Sequence, residues 1–517
     1  MKARILAAAV LLAAASGAYA SDKPIKREAS LIDAAQQDDR TLALKQIARK
    51  ADVNAVAEDG ATALLWAAHN DDVELVRALI AAGADVKKAN AFGATPMSEA
   101  ATSGNVAVLK ALLGAGADVE SPSAENQTSL MIVARTANVE AATLLLDQGA
   151  KVNATETFDH QTALMWAANE GQGAMVRLLI AHGAEVNARS RVHDNDPRTT
   201  AEPRVRYDPS GGMTTLMFAA REGCGDCAKA LVEAGARIND YDPDNITPLI
   251  LAVWNGHFDE AAYLIKAGAD VNRWDFWGRT PLWAAVDFNT LPRGGRPDRP
   301  SVDETTSLDL IKQLLAAGAN PNAQLKFAPP YRDPGADRGG DPNLTTGSSV
   351  LLRAAIGGDA EAVKLLLDAG ARPDLALARS WRAQDGGITP LIVGAGLYNQ
   401  PIDTRGRLRT EAQAVATVKL LIAAHADVNA RDDRGNTALF GAVVRGWNEM
   451  VRTLIAAGAD PYVVNNAGVS PYDIAKGKPI GLRQVVDIKP DTAALIEKLK
   501  PQGTVKVAAS TDGKTKR

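Results

Sequence analysis

Along most of the chain, apolar and polar positions follow two alternating programmes. A first run, Leu64, Leu65, Ala67 and Ala68, begins just after Thr62 and breaks at Asn70 to Asp72; a second, Val73, Val76, Leu79 and Ile80, recurs at three and four residues until Gly83. Three- and four-residue spacing puts side chains on one face of a helix, so the second run predicts an amphipathic helix and the first a short helix with an apolar face. Thr62 fits an N-cap, its hydroxyl satisfying an amide that the first turn leaves without a partner. Gly83 fits a stop, because glycine takes the left-handed conformation at low cost. The stretch after the glycine then leads into a hairpin-like finger ending at Asp59-Gly60 or its equivalents, and each unit is two helices plus a loop.

The programme repeats. Thr62-Ala63-Leu64-Leu65-Trp66-Ala67-Ala68, Thr95-Pro96-Met97-Ser98-Glu99-Ala100-Ala101 and Thr128-Ser129-Leu130-Met131-Ile132-Val133-Ala134 are spaced by 33 residues. The phrase returns at Thr162, Thr214, Thr247, Thr280, Ser349, Thr389, Thr437 and Ser470, and a second phrase such as Gly183-Ala184-Glu185-Val186-Asn187 or Gly268-Ala269-Asp270-Val271-Asn272 follows most of them. A fixed period of this size is the signature of a stacked repeat array, in which no unit buries both faces of its helices alone.

The period and the two phrases resemble the ankyrin-repeat family. The resemblance covers residues 29–500 and implies an all-α repeat fold, an ankyrin-repeat solenoid of about twelve helix-turn-helix units with finger loops. It also implies a scaffold that holds a protein or peptide on its concave surface rather than an enzyme. One departure is general: the family's histidine in the first phrase is replaced by Leu65, Ser98, Met131, Met165, Met217, Ile250, Trp283, Leu352, Ile392, Phe440 and Asp473. Apolar packing is therefore expected to stand in for part of that hydrogen-bond network. In the second phrase His425 occupies the glycine position, where a side chain is strained by ~1 kcal/mol if the left-handed conformation is kept.

Five segments break the period: 190–212, 324–347 and 375–387 before a first helix, and 289–306 and 398–411 between the two helices of a unit. Long loops of this proline-, glycine- and arginine-rich kind are usually functional or disordered, with tolerated, solvated surface loops as the other reading. The formal charge of the whole chain is −4, and the arginines of 190–212 are matched by Asp194, Asp196, Glu202 and Asp208, which argues against a nucleic-acid surface. The six histidines, His69, His160, His182, His193, His257 and His425, are scattered over separate units, so no catalytic or metal-ligating constellation is expected, and no cofactor. Asp242, Asp244 and Asn245 lack the glycine and closing glutamate of a calcium loop and read as turn chemistry.

The two cysteines lie in Gly223-Cys224-Gly225-Asp226-Cys227. A disulfide between Cys224 and Cys227 is the leading expectation, with free thiols and redox chemistry as alternatives. Haem attachment is excluded by Ala228, a zinc site lacks two ligands, and the fold is not thioredoxin-like.

Aromatic residues are sparse, 8 Trp, 8 Tyr and 8 Phe in 517 residues, yet nine crowd between Tyr241 and Phe288. Trp283, Phe258 and Tyr263 fall on packing positions. Tyr241, Trp274, Phe276 and Trp277 fall on fingers, and Trp254 and Phe288 end first helices, positions that face the groove in the ankyrin family. Together with Arg279 and Asp287 they form the expected partner-binding set, since large anchors beside charges dominate interface energies. The partner is a protein or peptide. A cell-wall glycan is the alternative, and a thiol redox role for Cys224 and Cys227 a weaker one. The chain is expected to be a monomer.

Residues 1–20 carry Lys2 and Arg4 before an apolar run from Ile5 to Ala15 and end in Ala18-Tyr19-Ala20, the pattern of a secretory signal peptide, followed by a linker over 21–28. The run is shorter than the ~20 apolar residues of a membrane span. Residues 501–517 read as a disordered tail. The mature protein is then periplasmic or secreted, and loss of Lys2 and Arg4 takes its formal charge from −4 to −6. Terminal sequencing of the protein from its producing cells is expected to find Ser21 first; a retained Met1 or a cytoplasmic location overturns this.

Overall fold

The computed structural model describes residues 29–123, 125–198, 206–290, 303–327, 344–378, 386–398, 409–479 and 488–499. The signal-like segment, the linker over 21–28, the C-terminal tail and most of the insertions lie outside the described residues. Within them, 24 helices from Leu31–Gln36 to Pro490–Lys498 form twelve successive pairs. Each helix packs on its pair-mate, and first helices stack on first helices and second on second along the array. No described helix is long and apolar enough to cross a membrane.

The first helices start where the threonine phrase places them. Thr62, Thr95, Thr128, Thr162, Thr214, Thr247, Ser349, Thr389 and Ser470 each accept the amide of the third helical residue on their hydroxyl. That third residue is the position without histidine. Met131, Met165, Met217, Ile250, Leu352, Ile392 and Phe440 are wholly enclosed there, each worth roughly 1.5–3 kcal/mol of transfer from water. Ser98 and Asp473 instead turn their side chains back to close capping boxes.

Hydrogen bonds between units come instead from the asparagine of the second phrase. Asn54 donates from Nδ2 to the Gly83 carbonyl at 3.1 Å and accepts the Asp85 amide on Oδ1 at 2.7 Å. Asn153, Asn187, Asn272, Asn322 and Asn429 make the same pair of bonds to the next unit. Where lysine replaces the asparagine in the second unit this clamp is missing, and in the third Glu120 accepts the Lys151 amide at 2.7 Å in its place.

Finger tips form a second ladder. The Ala91 amide donates to Asp59, Thr157 to Glu125, Phe276 to Asp244, Lys326 to Trp277 and Asn466 to Arg434, all at 2.8–3.0 Å. One insertion departs from the loop expectation. Val192–Arg198 and Arg206–Gly211 pair antiparallel, with Val192 opposite Gly211 and an irregularity between His193 and Asp196. The ribbon prolongs a finger whose arms are already joined by the Ser190 amide to the Met213 carbonyl at 2.9 Å and by the bridge Arg189 to Thr214.

Helix ends show where the chain departs from its own rule. Gly83, Gly116, Gly149, Gly183 and Gly458 have φ of 84–97°, and a Cβ at any of them would meet nothing within 4 Å; backbone conformation, not space, calls for glycine. Lys50 and His425 hold the same place at φ 65° and 66°. His425→Gly is expected to stabilise the array by about 0.5–1 kcal/mol, the relief of left-handed strain less the entropy of a freer unfolded glycine, read as a raised urea midpoint.

Glu260, on the helix Phe258–Lys266, is buried with neither carboxylate oxygen bonded among the described residues. Burial, then the nearby Asp303 carboxylate, push its carboxyl well above the usual glutamate range. The folded state therefore holds the proton more tightly, and stability falls as pH climbs from the ordinary glutamate value through the folded one. Glu260→Gln is expected to raise the melting temperature relative to the parent at pH 7, with a smaller gain at pH 4. An equal or negative effect at pH 7 overturns it.

Candidate partner-binding surface

Three consecutive fingers carry the aromatic concentration. In the first, Asp242 Oδ1 accepts the amides of Asp244 and Ile246 at 2.9 and 2.8 Å, closing a tight turn; this is the turn role expected of that segment. In the second, Asp275 Oδ1 accepts those of Trp277 and Arg279 at 3.0 and 2.8 Å in the same way. The third begins after the helix Ser307–Ala316 and is held to the second by the Lys326 amide on the Trp277 carbonyl, 2.8 Å. Backbone bonds thus set the spacing of the side chains.

Four rings stand out on this row: Tyr241 and Trp274 at 43% exposure, Phe276 at 39% and Phe327 at 51%. They are not loose. The Arg273 guanidinium lies 4.3 Å from the Tyr241 ring centre, and Lys326 Nζ 3.0 Å from that of Trp274. Phe276 stacks on Phe327, centroids 5.3 Å apart and planes 19° apart, and meets Trp277 edge-on at 5.5 Å. Cations over ring faces and ring-on-ring contacts hold each anchor in one orientation.

Beneath these rings is a buried layer. Arg279 Nε bonds Asp275 Oδ2 at 2.7 Å, both side chains almost fully enclosed. Its guanidinium lies 3.8 Å from the centre of Trp254 and 4.9 Å from that of Trp277. Burial lowers the Arg279 pKa and raises that of Asp275, and in each case the partner's charge pulls the value back. Removing one member would strand the other's charge at about 3–5 kcal/mol.

The residues read from sequence therefore divide. Tyr241, Trp274 and Phe276 are exposed and adjacent. Trp277, at 6% exposure, and Arg279 are not surface groups: they form the layer on which the exposed rings rest. Trp254 is half-buried with a guanidinium over its ring, so its truncation would also uncover that charge. Asp287 is withdrawn as well, its Oδ1 2.6 Å from Arg353 Nε of the following unit. Phe288 sits edge-on against Phe258 at 4.9 Å and beside Gly256, at the turn between helices and away from the fingers.

Phe327 is the member that the repeat pattern misses, because it lies at the start of the 324–347 insertion, past the last matched position. An isolated aromatic just after the Asn322 clamp was its one available signal.

Elsewhere, Cys224 and Cys227 are joined by a disulfide, S–S 1.99 Å and Cα–Cα 5.1 Å. Among the described residues, no group of three or more His, Cys, Asp or Glu is placed to hold a metal ion. His257 takes a structural place, with Nε2 donating to the Arg221 carbonyl at 3.2 Å.

A family model described as ankyrin repeats in three copies matches residues 31–123, 116–190, 198–275 and 216–293, and a single-repeat model matches 434–466, together more than half the chain. Over 202 residues the chain is 30% identical to the B-cell lymphoma 3 protein homolog of Mus musculus, covering 36% of this chain and 39% of that protein. Over 125 residues it is 34% identical to ankyrin repeat domain-containing protein 63 of Homo sapiens, covering 24% and 29%. It thus spans well under half the length of either relative. The crystal structure of the human ASB11 ankyrin repeat domain aligns with 43% of this chain and 91% of its own, at 23% identity and a TM-score of 0.36. Ankyrin repeats generally mediate protein–protein interaction. By its matched repeats and its twelve stacked helix pairs, the chain belongs to the ankyrin-repeat family.

Proposed function

We propose that this chain is an exported scaffold that binds a protein or peptide partner on the finger row of its concave side, centred on Tyr241, Trp274, Phe276 and Phe327. The observation that carries the reading is the set of four exposed rings on three adjacent fingers, each oriented by a cation or another ring. Large apolar side chains held in place before binding lose little entropy on association, which is what an interface anchor requires. Export rests on the signal-like residues 1–20. A glycan partner is less well served, because Arg273 and Lys326 already cover one face of Tyr241 and of Trp274, faces that a sugar would need.

The double variant Trp274→Ala/Phe327→Ala is expected to weaken capture of the partner by about 2 kcal/mol or more, roughly thirtyfold. Its fold should hold, since exposed substitutions stay within about 0.5 kcal/mol each. Capture from exported extract, quantified by mass spectrometry and paralleled by binding to isolated cell wall, reads the effect. Unchanged protein capture, or cell-wall binding that the double variant abolishes, overturns the proposal. Trp277→Ala is the contrasting control: loss of a buried indole is expected to cost about 3–5 kcal/mol of stability, so it reports on the fold and not on the surface.

A further inference from the structure

The cysteine pair sits at a junction that the array builds many times over, so the repeat supplies its own comparison. Before the second helices, Asp39, Asp72, Asn105, Asn138 and Asp359 cap the helix by accepting an amide from its first turn. Gln172, His257 and Trp447 make no side-chain cap bond, and their helices still form. Cys224 fills the same slot, its Sγ accepting the Cys227 amide at 3.2 Å. The junction therefore requires no crosslink. A ring closed by residues three apart also removes less entropy from the unfolded chain than a longer loop would, so the bond adds less to the fold than a long-range crosslink.

Its surroundings instead favour reaction. Cys227 is fully buried while Cys224 is part-exposed. Cys224 lies between Gly223 and Gly225, so its immediate chain neighbours carry no side chain to cover it, although it packs in part against the core. Gly223 is needed where it is, with φ of 78° and the His257 ring 2.3 Å from where a Cβ would lie. Gly225 has no such reason: a Cβ there would meet nothing within 4 Å. Once reduced, a Cys224 thiolate would keep the Cys227 amide bond and sit at the positive end of the helix Gly225–Glu233, both of which stabilise it. A stabilised reduced form makes a disulfide a better oxidant.

We propose that Cys224–Cys227 is a thiol–disulfide exchange site whose substrate is a protein dithiol, separate from the finger surface. A thiolate of the dithiol attacks Cys224 Sγ in line with the S–S bond; a mixed disulfide forms, and the electron pair leaves on Cys227, which takes up a proton. The second thiol of the substrate, losing its proton, attacks the mixed disulfide at the substrate's own sulfur and expels Cys224 as the stabilised thiolate. The substrate gains a disulfide, and two electrons remain on Cys224 and Cys227.

The test uses the full chain with glutathione buffers and a reduced synthetic peptide containing two cysteines. The native protein is expected to equilibrate with glutathione while folded and to oxidise the peptide mole for mole, and Cys224→Ser/Cys227→Ala is expected to do neither while remaining folded. In Cys227→Ser the remaining Cys224 should alkylate with iodoacetamide at least about tenfold faster at pH 6 than Cys227 does in Cys224→Ser. A bond that stays closed in excess reduced glutathione until the protein unfolds, or equal alkylation of the two thiols, overturns the proposal.

Discussion

Everything in this molecule depends on the register with which one helix pair meets the next. A pair alone has an apolar face on both sides, and only stacking removes those faces from water, so a slip between units would expose core along the whole array. Apolar contact by itself is tolerant of slip. The asparagine clamp is not: one side-chain amide satisfies both the carbonyl of the next unit's helix-stopping glycine and the amide two residues beyond it, a two-point fit that holds in one register. The chain has given up the histidine of its first phrase for methionine, leucine and phenylalanine, and concentrates inter-unit hydrogen bonding at these clamps and at the finger ladder.

That division of labour makes the aromatic fingers possible. Backbone bonds between tips, with side-chain bonds such as Arg189 Nη1 to the Tyr241 carbonyl beside them, fix the spacing of the fingers, and Tyr241, Trp274, Phe276 and Phe327 project from them. The layer below is costly by nature, since a buried ion pair rarely gains in attraction what it loses in hydration. Arg279 offsets part of that cost by lying between two indoles and bonding Asp275. The result is a rigid base under exposed rings, the arrangement in which a few side chains can dominate an interface.

The two features singled out lie at different ends of the unit. Fingers precede the first helix, and the cysteine junction follows it, so about eight residues of helix, roughly 12 Å, separate the two levels. A scaffold of this kind can hold a partner along one edge and carry chemistry along the other without either site deforming its neighbour, because each unit touches only those next to it.

The sequence by itself determined the repeat, its period, the caps, the glycine stops and the anomalous His425, because each is a local rule written in a few adjacent residues and restated many times. It also located the aromatic concentration between Tyr241 and Phe288. It did not sort that concentration into surface and support. Whether Trp274 or Trp277 faces outward depends on where Lys326 and Phe327 arrive from the following unit, and Asp287 is occupied by Arg353, 66 residues away. The ribbon at Val192–Arg198 was equally illegible, since its residues are polar and without alternation, and its pairing is inherited from the finger it extends. Local rules write the unit; contacts between units, set by stacking register, decide which of its side chains remain available.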